Sequence, residues 1–199
     1  MNDQEKLWAG EFGNAYHERN ALQYRLEFWL NVLRKVNDQP IQSVLEVGAG
    51  KGDNLRTLQT LYPEARYAAI EINVKACEAM RDLGITVFNC PSTTLNTVNP
   101  KQDLVISRGF LIHVPEQDLG ATLRLLFTSS ARYIFIGEYF SPERREIMYR
   151  GYPNALWADD YAGRMMAMYP GKLAIVDTGF AYSGNGGDDI TWFLLEKTK

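Results

Sequence analysis

Cysteine is scarce in this chain. Its 199 residues hold only Cys77 and Cys90, too few for a disulfide framework and without the paired spacing of a zinc site. Free thiols in a reducing cytoplasm are therefore expected, and no metal. Basic charge is not in excess either. Lys and Arg number 21 against 24 Asp and Glu, a net charge of -3, so the positive footprint of a nucleic-acid-binding domain is missing. No apolar run approaches the roughly 20 residues of a membrane span, and Met1 to Lys6 lack the apolar region of a secretory signal. A cytoplasmic protein with neither nucleic acid nor membrane as partner is expected. No Ser-His-Asp set, paired carboxylates, repeat or low-complexity tract presents itself, and the length favours one domain over residues 1–199.

What is present is an alternation of strands and helices. Leu22, Leu26, Trp29, Leu33 and Val36 form a helical stripe, closed by Pro40 ahead of a first strand over 41–47. Further strands are read at 67–71, 85–88, 104–106 and 133–138, separated by helical patterns at 54–61, 74–83 and 115–128. The tail differs. Segments 173–176 and 190–195 read as strands joined by Gly184-Asn185-Gly186-Gly187 with no room for a helix, which predicts an antiparallel hairpin. The expected fold is α/β: a doubly wound, mainly parallel sheet of seven strands with a C-terminal antiparallel hairpin, in three αβα layers. Residues 141–171 are read as an insertion before the hairpin, and 1–38 as an N-terminal segment with its own helix.

The stretch that points to a ligand is Val44-Leu45-Glu46-Val47-Gly48-Ala49-Gly50-Lys51-Gly52-Asp53. A β-branched strand runs into clustered glycines and then a helix N-terminus, where backbone can approach a cofactor closely. The dinucleotide fingerprint G-x-G-x-x-G requires glycine where Asp53 stands. With Glu46 inside the strand, Glu46-Val47-Gly48-Ala49-Gly50-Lys51-Gly52 resembles motif I of class I S-adenosylmethionine (SAM)-dependent methyltransferases.

Ligands of open α/β sheets bind beyond the carboxyl ends of the strands. Glu71 ends the second strand, placed to accept both ribose hydroxyls of an adenosine, with Ile72 beside it; NAD-binding folds use the same position. The cofactor set read from these ends is Glu46, Gly48, Ala49, Gly50, Glu71, Ile72, Ser92 and Ser107. Ser92 follows the third strand, where the methyltransferase pattern meets the adenine, although the family-typical Asp is absent. Ser107-Arg108-Gly109-Phe110 stands where nucleic-acid N-methyltransferases carry [D/N]-P-P-[Y/F], which argues against base methylation. His113 is either a general base or a packed core histidine. The insertion mixes guanidinium groups and aromatics. Arg144, Arg145, Tyr149 and Arg150, with Arg108, form either an anion-recognising set for the substrate or a solvated face.

Trp8 to Tyr16 with Arg19-Asn20, Gly109 to His113, Tyr149-Arg150-Gly151 and Asp188 to Lys197 together resemble the pseudaminic acid biosynthesis-associated methylases. That resemblance implies a SAM-dependent methyltransferase that releases S-adenosylhomocysteine (SAH) and serves a nonulosonic acid pathway, with a small acidic or sugar-like acceptor. It also implies that the N-terminal aromatics fold over the cofactor, with Tyr16 and Arg19 at its methionine end; packing on the sheet is the alternative. An inactive SAM-binding scaffold and an NAD-dependent oxidoreductase remain rival functions.

Overall fold

A computed structural model describes residues 1–36, 40–182 and 189–198. Its main sheet is assembled from β1 (Ser43–Val47), β2 (Arg66–Glu71), β3 (Thr86–Asn89), β4 (Gln102–Arg108), β5 (Ser130–Glu138), β8 (Leu173–Ala181) and β9 (Ile190–Lys197). The order is β3-β2-β1-β4-β5-β9-β8. The first five strands run parallel, with Val44 opposite both Tyr67 and Leu104. Strand β9 is antiparallel to β5 and to β8. The Gly184–Gly187 turn and Asp188 lie outside the described residues.

Strand β1 is buried along its whole length, because helices cover both faces of a parallel sheet. Its side chains alternate between two cores. Val44 joins Trp29 and Val32 of α3 (Leu26–Leu33) and Leu55 and Leu58 of α4 (Asp53–Leu61), with Met80 of α5 (Val74–Arg81). Leu45 and Val47 join Leu119 and Leu123 of α6 (Glu116–Ser129) and Tyr161 and Met165 of α7 (Tyr161–Met168). These are the three αβα layers. Their topology puts the reversal of strand order between β1 and β4, where a crevice opens at the carboxyl ends.

Three local expectations are corrected. The stripe of α3 does not include Leu22, which is 53% exposed. Residues 21–25 are not helical, and side chains of α4 take two of their backbone donors: Gln23 N–H donates to Asp53 Oδ2 at 3.0 Å and Arg25 N–H to Thr57 Oγ1 at 3.2 Å. The N-terminal residues form two short helices, α1 (Asp3–Ala9) and α2 (Glu11–Arg19), broken at Gly10. A capping box between Asn2 and Glu5 starts the first. They pack so closely that a Cβ on Gly13 would lie 1.9 Å from the Trp8 carbonyl.

The insertion, finally, does not present a charged helix face. It is a two-stranded ribbon, β6 (Arg145–Glu146) with β7 (Trp157–Ala158), a tight turn at Tyr149–Tyr152, and α7, whose Tyr161 and Met165 are core. Among the described residues no helix is long and apolar enough to cross a membrane, and no cluster of His, Cys, Asp or Glu could hold a metal ion.

Candidate active site

The glycine turn after β1 takes backbone angles closed to most side chains: φ is +71° at Gly48 and +54° at Gly50. A Cβ on Gly48 would also lie 2.2 Å from the Phe110 ring. Glu71, at the end of β2, reaches across to this turn. Its carboxylate accepts from Gly50 N–H at 2.7 Å and from the N–H groups of Ile72 and Asn73 at 2.8 Å. Burial raises its pKa, and the three donors oppose that shift.

Glu46 lies deeper, only 1% exposed. Its Oε1 accepts from Asn54 Nδ2 at 2.6 Å, whereas Oε2 is buried without a hydrogen-bond partner among the described residues. Burial pushes its pKa up to about 8, against the pull of the Asn54 hydrogen bond. An orphaned carboxylate oxygen this deep suits a cationic or N–H-bearing ligand group.

The N-terminal helices roof the turn. Lys51 Nζ donates to the carbonyls of His17 at 2.8 Å and Asn20 at 2.6 Å, at the C-terminal end of α2 where a cation is favoured. Asn73 Nδ2 holds the Trp8 carbonyl and Asn14 Oδ1. His17, over Gly50, has its pKa lowered to about 4, first by burial and then by Lys51. Beyond β4, His113 Nδ1 lies 2.7 Å from the Ala155 carbonyl. A carbonyl only accepts, so Nδ1 carries the hydrogen and Nε2 the lone pair. The His113 ring lies between Trp8 at 4.6 Å and Tyr149 at 5.2 Å.

These groups enclose a cavity of about 370 Å³, within the size range of small-molecule sites. Of the residues singled out in the sequence, Glu46, Gly48, Ala49, Gly50, Glu71, Ile72, Ser92, Tyr16, Arg108, His113, Tyr149 and Arg150 line it together. The Ser92 hydroxyl is also 2.9 Å from Thr122 Oγ1 of α6.

Four others stand apart from the cavity. Ser107 is fully buried and donates to Glu138 Oε1 at 2.7 Å; Glu138 also accepts from the N–H groups of Phe110, Leu111 and Ile112 and so holds the loop after β4 in shape. Arg144 is engaged by Glu116 and Asp159, each at 3.2 Å, by the Val114 carbonyl at 2.9 Å and by the Trp157 ring. It braces the insertion instead of facing a ligand. Arg145 is an exposed residue of β6. Arg19 is exposed and stacks outside on Phe12 and Tyr16. Trp8, one of the N-terminal aromatics, lines the cavity too, and the sequence reading missed the lining residues Gln4, His17, Arg25 and Lys51. Lys51 was in plain view within the glycine turn; nothing near Arg25 signalled a site.

A family model described as a methyltransferase domain matches residues 44–129, the segment that supplies the glycine turn, Glu71 and His113. Residues 44–129 are thus similar to a methyltransferase domain. Solved structures of this fold cover almost the whole chain. The 1,6-didemethyltoxoflavin-N1-methyltransferase of Burkholderia thailandensis, with bound 1,6-didemethyltoxoflavin and SAH, is 17% identical with a TM-score of 0.68, covering 94% of this chain and 83% of its own. The magnesium protoporphyrin IX methyltransferase of Synechocystis PCC 6803, with bound SAM, is 13% identical with a TM-score of 0.70, covering 100% and 99%. The plantazolicin methyltransferase in complex with a pentazolic desmethyl analogue and SAH is 13% identical with a TM-score of 0.68, covering 98% and 95%. A search of curated proteins gave no match. The cavity lies at the reversal of strand order and spans from the turn after β1 to the loop after β4.

Proposed function

We propose that the protein, as a single domain over 1–199, transfers a methyl group from SAM to a small acidic or sugar-like acceptor of the nonulosonic acid kind, releasing SAH. The observation that carries this is one continuous cavity joining the glycine turn and Glu71 to His113, Arg108 and Arg150. SAM supplies an electrophilic methyl group on a sulfonium, with a neutral thioether as leaving group. The residues present fit it. The Glu71 carboxylate would accept the ribose hydroxyls, the positive-φ glycines would let backbone come close, and the buried Glu46 Oε2 would accept from the ammonium of the methionine moiety. Such a cation would favour the ionised carboxylate of Glu46.

At the other end the protein's work is positioning and proton removal. His113, its tautomer set by the Ala155 carbonyl, takes the proton of an acceptor hydroxyl through Nε2 as the oxygen–methyl bond forms. Arg108 and Arg150 hold the acceptor's anionic group. Helix α2, tied to the glycine turn through Lys51, would lie over the cofactor, and 141–171 would form the substrate side. The neighbours act on acceptors so unlike one another that theirs lend no support to any one choice here.

Labelled SAM incubated with free nonulosonic acids, their nucleotide-activated forms and neutral sugars tests the reading by mass spectrometry. One added methyl group on an acidic sugar is expected. His113→Ala should slow turnover by roughly 10²–10⁴-fold, the usual worth of a general base, with SAH affinity unchanged. SAH binding without turnover on any acceptor would make the protein a scaffold and overturn the proposal.

A further inference from the structure

Helix α1 lies outside the segment that matches the methyltransferase domain, yet its Gln4, Glu5 and Trp8 line the cavity. Trp8 Nε1 and Gln4 Oε1 are both buried, and neither has a hydrogen-bond partner among the described residues. One is a donor and the other an acceptor. Spaced i and i+4, they share one helical face about 5–6 Å apart at Cβ. The Gln4 amide is not ambiguous, since its Nε2 donates to the Asn154 carbonyl, which leaves Oε1 as the orphan. The helix is held at both ends: Asn2 Nδ2 donates to Asp118, Thr93 Oγ1 donates to Glu5 Oε1 at 3.1 Å, and Asn73 grips the Trp8 carbonyl at 3.2 Å. Trp8 is in turn packed on His113, with ring centroids 4.6 Å apart.

Buried polar groups are almost always paired, and two orphans of opposite type on one face of one cavity point to something that pairs them. We propose that α1 selects the methyl acceptor: Trp8 Nε1–H donates to an oxygen of it, and Gln4 Oε1 accepts from an N–H or O–H about one helical turn away. The acceptor then carries a neutral donor–acceptor pair, of amide or hydroxyl type, beside the atom that faces His113. This rests on the proposed methyl transfer and narrows its substrate class. A carboxylate recognised through charge alone would leave Gln4 unpaired. A site built around hydrogen bonds rejects analogues that lack them far more strongly than an apolar slot rejects a change of size.

The test uses the full chain, ¹⁵N-labelled and saturated with SAH. The Trp8 indole resonance is assigned by its loss in Trp8→Phe. Three probes are titrated: N-acetylneuraminic acid, N-acetylglucosamine and cyclohexanecarboxylate. The acetamido sugars should move the Trp8 indole proton, cyclohexanecarboxylate should not, and Gln4→Met and Trp8→Phe should each weaken sugar binding by about tenfold or more. Unchanged SAH affinity in both variants shows that the fold and cofactor site are intact. Failure of both acetamido sugars to move the indole proton, an equal response to cyclohexanecarboxylate, or wild-type sugar affinity in Gln4→Met would overturn the role of α1 and leave methyl transfer standing. Failure of the wild type to bind SAH would remove the underlying reading itself.

Discussion

Glu46 is the residue whose chemistry is most out of line with its surroundings. Its pKa of about 8 in the folded protein, against an ordinary 4.5, means that between those pH values the native state holds a proton that the unfolded chain gives up. Stability from this group is therefore fully present below pH 4.5 and is lost as pH rises through 8, at up to ~1.4 kcal/mol per pH unit. Glu138, raised to about 7 by burial, acts in the same direction. His17, lowered to about 4 from 6.5, acts in the opposite one, losing stability as pH falls through that range. Urea unfolding of the unliganded protein at pH 5 and pH 8 should show Glu46→Gln gaining on the wild type as pH rises; parallel curves would mean that the carboxyl is not protonated in the fold. Arg150 makes a second case. It sits at φ +51° beside Gly151 at +83°, the pair of positive angles of a type I′ turn, where a non-glycine residue is strained. Arg150→Gly should leave stability unchanged or raise it by up to about 1 kcal/mol, while acceptor affinity falls. Loss of stability with acceptor affinity intact would assign Arg150 to the turn alone.

The elements divide by how local their causes are. Strands β1, β2, β4 and β5 were legible because burial on both faces writes near-continuous apolar runs, the partly buried edge strand β3 from its short β-branched run, and the glycine turn because its backbone angles admit little else. The part of the cavity around the glycine turn and Glu71 follows from these two facts. Its roof was not legible. The contacts that seat α1 and α2 are side-chain bonds to carbonyls 31 to 65 residues away in the chain, such as Lys51 to Asn20 and Asn73 to Trp8, and no periodicity reports them. Arg144 misled for the same reason, since its partners are Glu116 at the start of α6 and Asp159 across the insertion, 15 residues on. Lys51→Met tests how the roof is held. Two carbonyls at the end of α2 lose a charged donor, so hydrogen exchange in residues 3–19 should quicken by about tenfold or more, with β1 to β5 unaffected. Uniform acceleration would show that Lys51 supports the whole fold, and no change that the roof is fastened elsewhere.

Taken together, the chain is a doubly wound sheet whose strand order reverses beside β1, with an antiparallel hairpin closing one edge and the N-terminal helices closing the crevice. Such a molecule should gain stability from its cofactor by mass action. At about 100 times its dissociation constant, SAH should add roughly 2.7 kcal/mol, or ~5–10 °C in Tm for a chain of this size. NAD should add nothing. The most direct measurement is calorimetric titration of SAM and SAH into the wild type and Glu71→Ala, since the Glu71 carboxylate both shapes the glycine turn through Gly50 at 2.7 Å and faces the cavity. Binding to the wild type and a loss of about tenfold or more in Glu71→Ala is the predicted result; equal affinity in the two proteins would contradict a SAM site at this turn.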